Sequence, residues 1–199
     1  MQLIAISTGK TKNLISGDNA SEKVILSAIG KTPISTLESP TPVRVKYLGI
    51  ESDEQADLRV HGGEDKAVYA YPQESYQFWN EQRNNIEKGL PILTFGAMGE
   101  NLTTIGFSEL DVFVGDQWRI GEVLLEVAEF REPCFKFNIK MGWSGAAKVM
   151  VNSGYSGWYL RVLKTGMISA GDQITVIPGA RKLTIKQQAE KYYISPKKS

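Results

Sequence analysis

Cys134 is the only cysteine of the 199-residue chain and stands in the run Arg131-Glu132-Pro133-Cys134-Phe135-Lys136, between two cations. A single thiol makes no intramolecular disulfide, so its uses are packing, metal ligation or reactivity. An unperturbed cysteine titrates near about 8.5, and nearby Arg or Lys lowers that value, favouring the thiolate that ligates soft metals or attacks electrophiles. The run reads as one candidate reactive atom in a basic setting.

Other segments offer partners of weaker specificity. His61-Gly62-Gly63-Glu64-Asp65-Lys66 holds the only histidine. Successive glycines let backbone N–H groups converge on an anion, and Lys66 would add charge; a plain tight turn fits the same residues. A Cys–His pair of Cys134 with His61 is open on inventory alone. Thr8-Gly9-Lys10-Thr11 resembles part of a phosphate loop, but no glycine stands five residues before Gly9, so it is not a Walker motif. Lys10 is left as a candidate anion contact. The acidic stretch from Glu51 to Asp57 lacks the pattern of a calcium loop and reads as a solvated charged loop. One cysteine and one histidine do not make a four-ligand zinc site, and the Gly-x-Ser-x-Gly elbow of serine hydrolases is missing.

The elements that must position these residues read mainly as strands. Period-two alternation marks residues 43–47, 122–127 and 158–162, with further β candidates at 66–71 and 173–177. Gly115-Asp116 and Gly171-Asp172 each precede a strand and predict two similar corners, and Gly96 to Leu102 predicts a wide one. A helix is expected from Pro72 to Lys88, with Tyr76, Trp79, Arg83 and Ile86 on one face. A second is expected from Cys134 to Met141 and again from Ser144 to Asn152, broken at Gly142; Cys134 then sits at a helix start, where the macrodipole favours a thiolate. Residues 182–190 start like a helix before a Lys-rich tail. Strands without regular strand-helix alternation predict a closed or nearly closed antiparallel barrel with a few inserted helices.

Composition bounds the function classes. Hydrophobic content of 42% and charged content of 23% are those of a globular chain, and a net charge of +1 provides no field for nucleic acid. The N-terminal apolar stretch is short and has no basic leader, which argues against a signal peptide, and no run approaches the ~20 apolar residues of a membrane span. The lone thiol fits a reducing, cytoplasmic compartment.

In order along the chain, Thr8-Gly9-Lys10, Asp53-Glu54-Gln55 with His61-Gly62-Gly63 and Lys66-Ala67-Val68, Gly99-Glu100-Asn101-Leu102, Gly115-Asp116, and Arg131-x-Pro133-Cys134-x-Lys136 resemble the MOSC domain. This is the fold shared by the C-terminal part of molybdenum cofactor sulfurases and by amidoxime-reducing molybdoproteins, and the match is to its YiiM-like bacterial branch. It runs from about residue 1 to 180. Ser52 stands where the family usually has glycine, and Phe130 replaces a common proline. Longer members carry a C-terminal three-helix domain, beginning about where this sequence stops; a domain over 1–180 is expected, followed by a helical stub and basic tail over 181–199.

The resemblance implies a MOSC β-barrel of the pyruvate kinase barrel-like type that binds a pyranopterin molybdenum cofactor (molybdopterin). It implies Cys134 as the protein ligand to molybdenum, Lys10, His61, Lys66, Arg131 and Lys136 lining a pocket for the phosphate-bearing cofactor, and Asn101 hydrogen-bonding the pterin. The activity it implies is a molybdenum-dependent reductase of small N-hydroxylated compounds, such as hydroxylamino purines or amidoximes. No flavin, nicotinamide or iron–sulfur motif is present, so a separate flavin or iron–sulfur reductase is the expected electron donor. Two alternatives use the same thiolate and cations: a persulfide sulfur carrier for metal–sulfur cluster or molybdenum cofactor maturation, and a cofactor-binding module without turnover.

Overall fold

The computed structural model describes residues 1–16, 23–56 and 62–194. The strands are β1 (Gln2–Thr8), β2 (Lys12–Ser16), β3 (Lys23–Ser27), β4 (Thr32–Thr36), β5 (Val43–Lys46), β6 (Gly49–Ile50), β7 (Val68–Pro72), β8 (Leu102–Ile105), β9 (Gln117–Ile120), β10 (Val123–Phe130), β11 (Trp158–Lys164), β12 (Gly166–Ile168) and β13 (Ile174–Ile177). Four helices join them: α1 (Tyr76–Ile86), α2 (Phe135–Met141), α3 (Ala146–Ser153) and α4 (Ile185–Ile194).

Eight strands form one strongly curled sheet in the order β13-β9-β10-β11-β7-β8-β1-β4. The curl brings the two ends near each other: Gln2 bridges Gln173, the Leu3 amide donates to the Asp172 carbonyl at 3.0 Å, and Gly171 donates to Leu3 at 2.7 Å. The expected antiparallel rule fails at one pair. β7 and β8 run parallel, because the chain between them crosses over through α1 and a long loop instead of turning back in a hairpin. β5, β6 and β12 form a small second sheet, and β2 with β3 a separate hairpin.

Alternation places the two cores. β10 and β11 bury every second residue, so one face of each points into the barrel around Trp118, Leu125, Trp158 and Leu160. β7 is buried on both faces. Its Val68 and Ala70 enter the barrel core, whereas Tyr69 and Tyr71 point outward to a second cluster built with Trp79 of α1, Phe137 of α2 and Met150 of α3. That outward layer carries the candidate site.

Local expectations hold with adjustments. The strand expected at 66–71 begins at Val68, after a 3-10 turn over Glu64–Lys66. Pro72 ends β7, and a 3-10 turn over Gln73–Ser75 leads into α1, where Tyr76 and Trp79 are buried but Ile86 is 60% exposed. Gly142, at φ 83°, terminates α2 in the left-handed region and separates it from α3. Both Gly-Asp corners have left-handed glycines, at φ 85° and 99°, and a following carboxylate that accepts a backbone N–H, Gly179 for Asp116 and Ser169 for Asp172. α4 extends to Ile194 because Ile185 and Ala189 enter the barrel core and Gln188 accepts the Phe130 N–H at 2.8 Å.

Glu109 ties this frame together from inside. Its carboxylate, 3% exposed, accepts the Gly157 N–H at 2.9 Å, and its carbonyl accepts the Lys186 N–H at 3.0 Å. Burial pushes its pKa up to about 7, against the opposing pull of the Gly157 hydrogen bond. The folded value lies above that of the unfolded chain (about 4.3), so the stability Glu109 allows is full below that value and is lost as pH rises through about 7. Glu109→Gln keeps the acceptor without the charge. Its melting temperature relative to the native chain should rise between pH 5 and about pH 7 and level off above that; a constant difference between pH 5 and pH 7 would contradict the assignment.

Candidate active site

An open cleft of about 680 Å3, counting solvent at its mouth, lies on the outer face of the barrel. Its walls are the end of β3 with the turn to Lys31, the loop around Asp53, and the 131–136 segment, over a floor of Tyr69 and Tyr159. Of the residues singled out from sequence, Cys134, Lys66, Asn101, Arg131 and Lys136 line it together. Lys10 does not. Its side chain is 61% exposed and pairs with Glu54 at 3.1 Å. His61 lies outside the described residues.

The 131–136 segment is shaped by where β10 stops. Arg131 N–H donates to the Gly157 carbonyl at 3.3 Å, and Cys134, in an extended conformation (φ −113°, ψ 172°), occupies the position before α2, its carbonyl accepting the Phe137 N–H at 2.9 Å. Cys134 is half-buried. Arg131 is 6% exposed, its guanidinium 5.1 Å from the Tyr69 ring centre and 4.8 Å from that of Phe137. Among the described residues no carboxylate lies within ion-pair distance of it. Burial works against its charge, but Tyr69, Tyr159 and Cys134 favour the cation more strongly, and its pKa is raised. Burial raises both phenols above the ordinary tyrosine value, so the floor is neutral.

Lys66 approaches Glu129 at 3.3 Å and stands 5.9 Å over the Tyr159 ring, and Lys136 donates to the Leu26 carbonyl at 3.1 Å, joining α2 to the β2–β3 hairpin. Three cations, two of them from the 131–136 segment, thus converge on the cleft that holds the thiol.

The opposite wall is organised by Asp53, and here the solvated-loop reading needs correction. Glu51 and Glu54 are surface residues paired with Lys46 and Lys10, but the Asp53 side chain is only 5% exposed. It accepts the Gly9 N–H at 2.8 Å, an Asn101 amide hydrogen at 2.9 Å, and a two-pronged ion pair from Lys31 at 2.5 Å. Asn101 also donates to the Ser7 carbonyl and accepts the Tyr69 N–H, so its amide is fully engaged by protein groups. The Thr8-Gly9-Lys10 run acts as a strap: Gly9 accepts the Glu54 N–H at 2.9 Å, and Thr11 donates to the Glu54 carboxylate at 2.8 Å. Gly9 has to be glycine because a Cβ there would lie 2.5 Å from the Gly30 carbonyl oxygen. Ser52 adopts φ 74°, which accounts for the glycine usual at this position; serine holds the same turn under strain.

Lys31 was not found by sequence reasoning. Its one local signal is a lysine after Gly30 at the end of the β3 turn; its burial depends on Asp53, 22 residues away. Glu100 is fully buried behind the wall, where burial raises its pKa, and it accepts the Tyr76 hydroxyl, the Thr103 hydroxyl and the Gly96 and Met98 N–H groups. It fixes the corner that presents Asn101.

The MOSC domain model matches residues 57–175. The chain belongs to the MOSC domain family. It is a YiiM-like member: it is 37% identical over 156 residues to Protein YiiM of Escherichia coli strain K12, covering 78% of this chain and 68% of that protein. The crystal structure of YiiM from Geobacillus stearothermophilus superposes with a TM-score of 0.74 at 32% identity, over 97% of this chain and 84% of that one. A protein of Gibberella moniliformis named Reductase is 42% identical over 137 residues, 68% of this chain but 24% of that much longer protein. No helix among the described residues is long and apolar enough to cross a membrane.

Asp53→Ala would leave Lys31 buried without its partner and should cost about 3–5 kcal/mol in urea unfolding. Lys10→Ala, which breaks only an exposed pair, should leave the midpoint unchanged. Equal midpoints for the two variants would refute the knot around Asp53.

Proposed function

We propose that this MOSC protein is a cytoplasmic, molybdenum-dependent reductase of small N-hydroxylated compounds, hydroxylamino purines or amidoximes, with Cys134 as the protein ligand to the metal of a bound molybdopterin. The observation that carries the reading is Arg131, a buried cation with no carboxylate at ion-pair distance among the described residues, lining an open cleft with the only thiol. A buried charge has to be compensated, and an anion entering the cleft does so.

The donor set fits the cofactor. A thiolate is a soft ligand suited to molybdenum, and the phosphate-bearing pterin is anionic. Among the described residues no three His, Cys, Asp or Glu side chains cluster to hold a metal, so Cys134 would share it with ligands the cofactor brings. When bound, the group supplies the two-electron chemistry that removes oxygen from nitrogen.

The chain's own residues bind, orient and shield. Arg131, stacked between Tyr69 and Phe137, offers a planar fork to an anionic oxygen. Lys66 and Lys136 add charge at the walls, and His61 and Lys10 are proposed as further contacts on their motif positions alone. Asn101 contributes by holding Asp53 and the end of β1 in place. The neutral Tyr69 and Tyr159 floor provides a flat surface for a planar substrate or pterin. Electrons come from a separate flavin or iron–sulfur reductase. The relative named Reductase supports the reaction class.

Molybdenum and pterin should be measured per protein for the native chain, Cys134→Ser and Arg131→Gln, purified anaerobically from a cofactor-rich host. Near-stoichiometric metal is expected in the native chain, with at least a roughly tenfold loss in each variant, as for truncation of a buried charged contact. No metal or pterin in any of them, with a persulfide on native Cys134, would replace the reductase with the sulfur carrier.

A further inference from the structure

Lys31 and Asp53 form a buried ion pair that the binding roles above leave without a purpose. Their side chains are 8% and 5% exposed, yet both residues line the cleft with Cys134 and Arg131. The cation is not the only group that holds the loop. Asp53 is already fixed by Gly9 N–H and Asn101, and Glu54 N–H is bound to the Gly9 carbonyl. A buried pair of this kind is seldom more stabilising than apolar side chains of the same size.

The ammonium group also has a hydrogen to offer. Lysine carries three N–H donors; two are accounted for by the Asp53 oxygens, and no third partner is found among the described residues. We propose that Lys31 is a proton donor in this cleft, delivering one proton to the oxygen that is removed from the N-hydroxyl group; the proposal rests on the reductase reading above.

The overall balance has a place for such a group. Reducing a hydroxylamine to an amine breaks the N–O bond and consumes two electrons and two protons, giving the amine and one water. The electrons come from the flavin or iron–sulfur reductase. One proton comes from Lys31 and leaves in the water; the other comes from solvent, which also reloads Lys31 through the open cleft. Arg131 does not serve, because a guanidinium keeps its proton. Lys66 is turned toward Glu129, and Lys136 toward the Leu26 carbonyl. The groups acting on Lys31 are consistent with donation: burial lowers its pKa, and the opposing attractions of Asp53 and then Glu100 do not restore it.

The test uses two variants. Lys31→Arg keeps the ion pair but not the transferable proton, and the Lys31→Gln/Asp53→Asn double variant removes both charges together, so neither leaves a lone buried ion. Lys31→Arg is expected to retain molybdenum and pterin at the native level, and in both variants kcat per bound molybdenum falls about 100-fold, the scale of a lost general acid. The native kcat should decline as pH rises through the Lys31 pKa, and this limb should vanish in Lys31→Arg. Independently of turnover, 15N-lysine NMR of the protein without cofactor should show the Nζ signal missing from Lys31→Arg titrating below the ordinary lysine range. Native turnover with an undiminished Lys31→Arg rate and an unchanged alkaline limb would overturn the proton-donor role alone, as would a Lys31 signal titrating within or above the ordinary lysine range. A native protein with neither metal nor turnover would overturn the reductase reading, and this role with it.

Discussion

A carboxylate buried in a protein must have each lone pair answered, and Asp53 meets that demand by drawing in groups from three other parts of the chain. Gly9 closes β1, Lys31 follows the β2–β3 hairpin, Asn101 opens β8, and Asp53 brings its own loop. Its hydrogen bonds and ion pair tie these segments into one wall of the cleft, and a slip in position would leave Asp53 or Lys31 ionised in a low-dielectric setting without a partner.

The barrel supplies the other half of the construction. Because β7 is covered on both faces, its alternate residues divide between two cores: Val68 and Ala70 close the barrel, while Tyr69 and Tyr71 build the floor and the aromatic layer outside it. The cleft thus rests on a strand whose register is fixed from the inside, where a slip of one residue would exchange tyrosines for small aliphatics. Glu109 and Gly157 anchor the same region, since the carbonyl of Gly157 receives the N–H of Arg131.

Arg131 and Lys31 divide the electrostatics of the site. The guanidinium lies over two aromatic rings with no carboxylate at ion-pair distance among the described residues and favours an anion arriving from outside. The ammonium has its countercharge built in, which keeps the wall close to neutral and leaves the proton as the transferable part. Two cations in one cleft are therefore different devices, distinguished by whether a carboxylate faces them.

What the sequence by itself determined was the family, the strand-rich architecture, the helix break at Gly142, and the placing of Cys134 among cations; each depends on residue types close together in the chain or on motifs in a fixed order. It also marked Ser52, whose left-handed backbone explains the usual glycine. Only the tertiary structure decided that Asp53 is buried although its neighbours Glu51 and Glu54 are not, that Lys31 belongs to the site, that Lys10 turns outward, and that the Asn101 amide is engaged within the protein. The parallel β7–β8 pair was likewise invisible to local alternation. The physical reason is distance along the chain: Asp53 meets partners 22, 44 and 48 residues away. Local spacing sets which face a side chain takes on its own strand, whereas burial and pairing depend on what the fold brings opposite it.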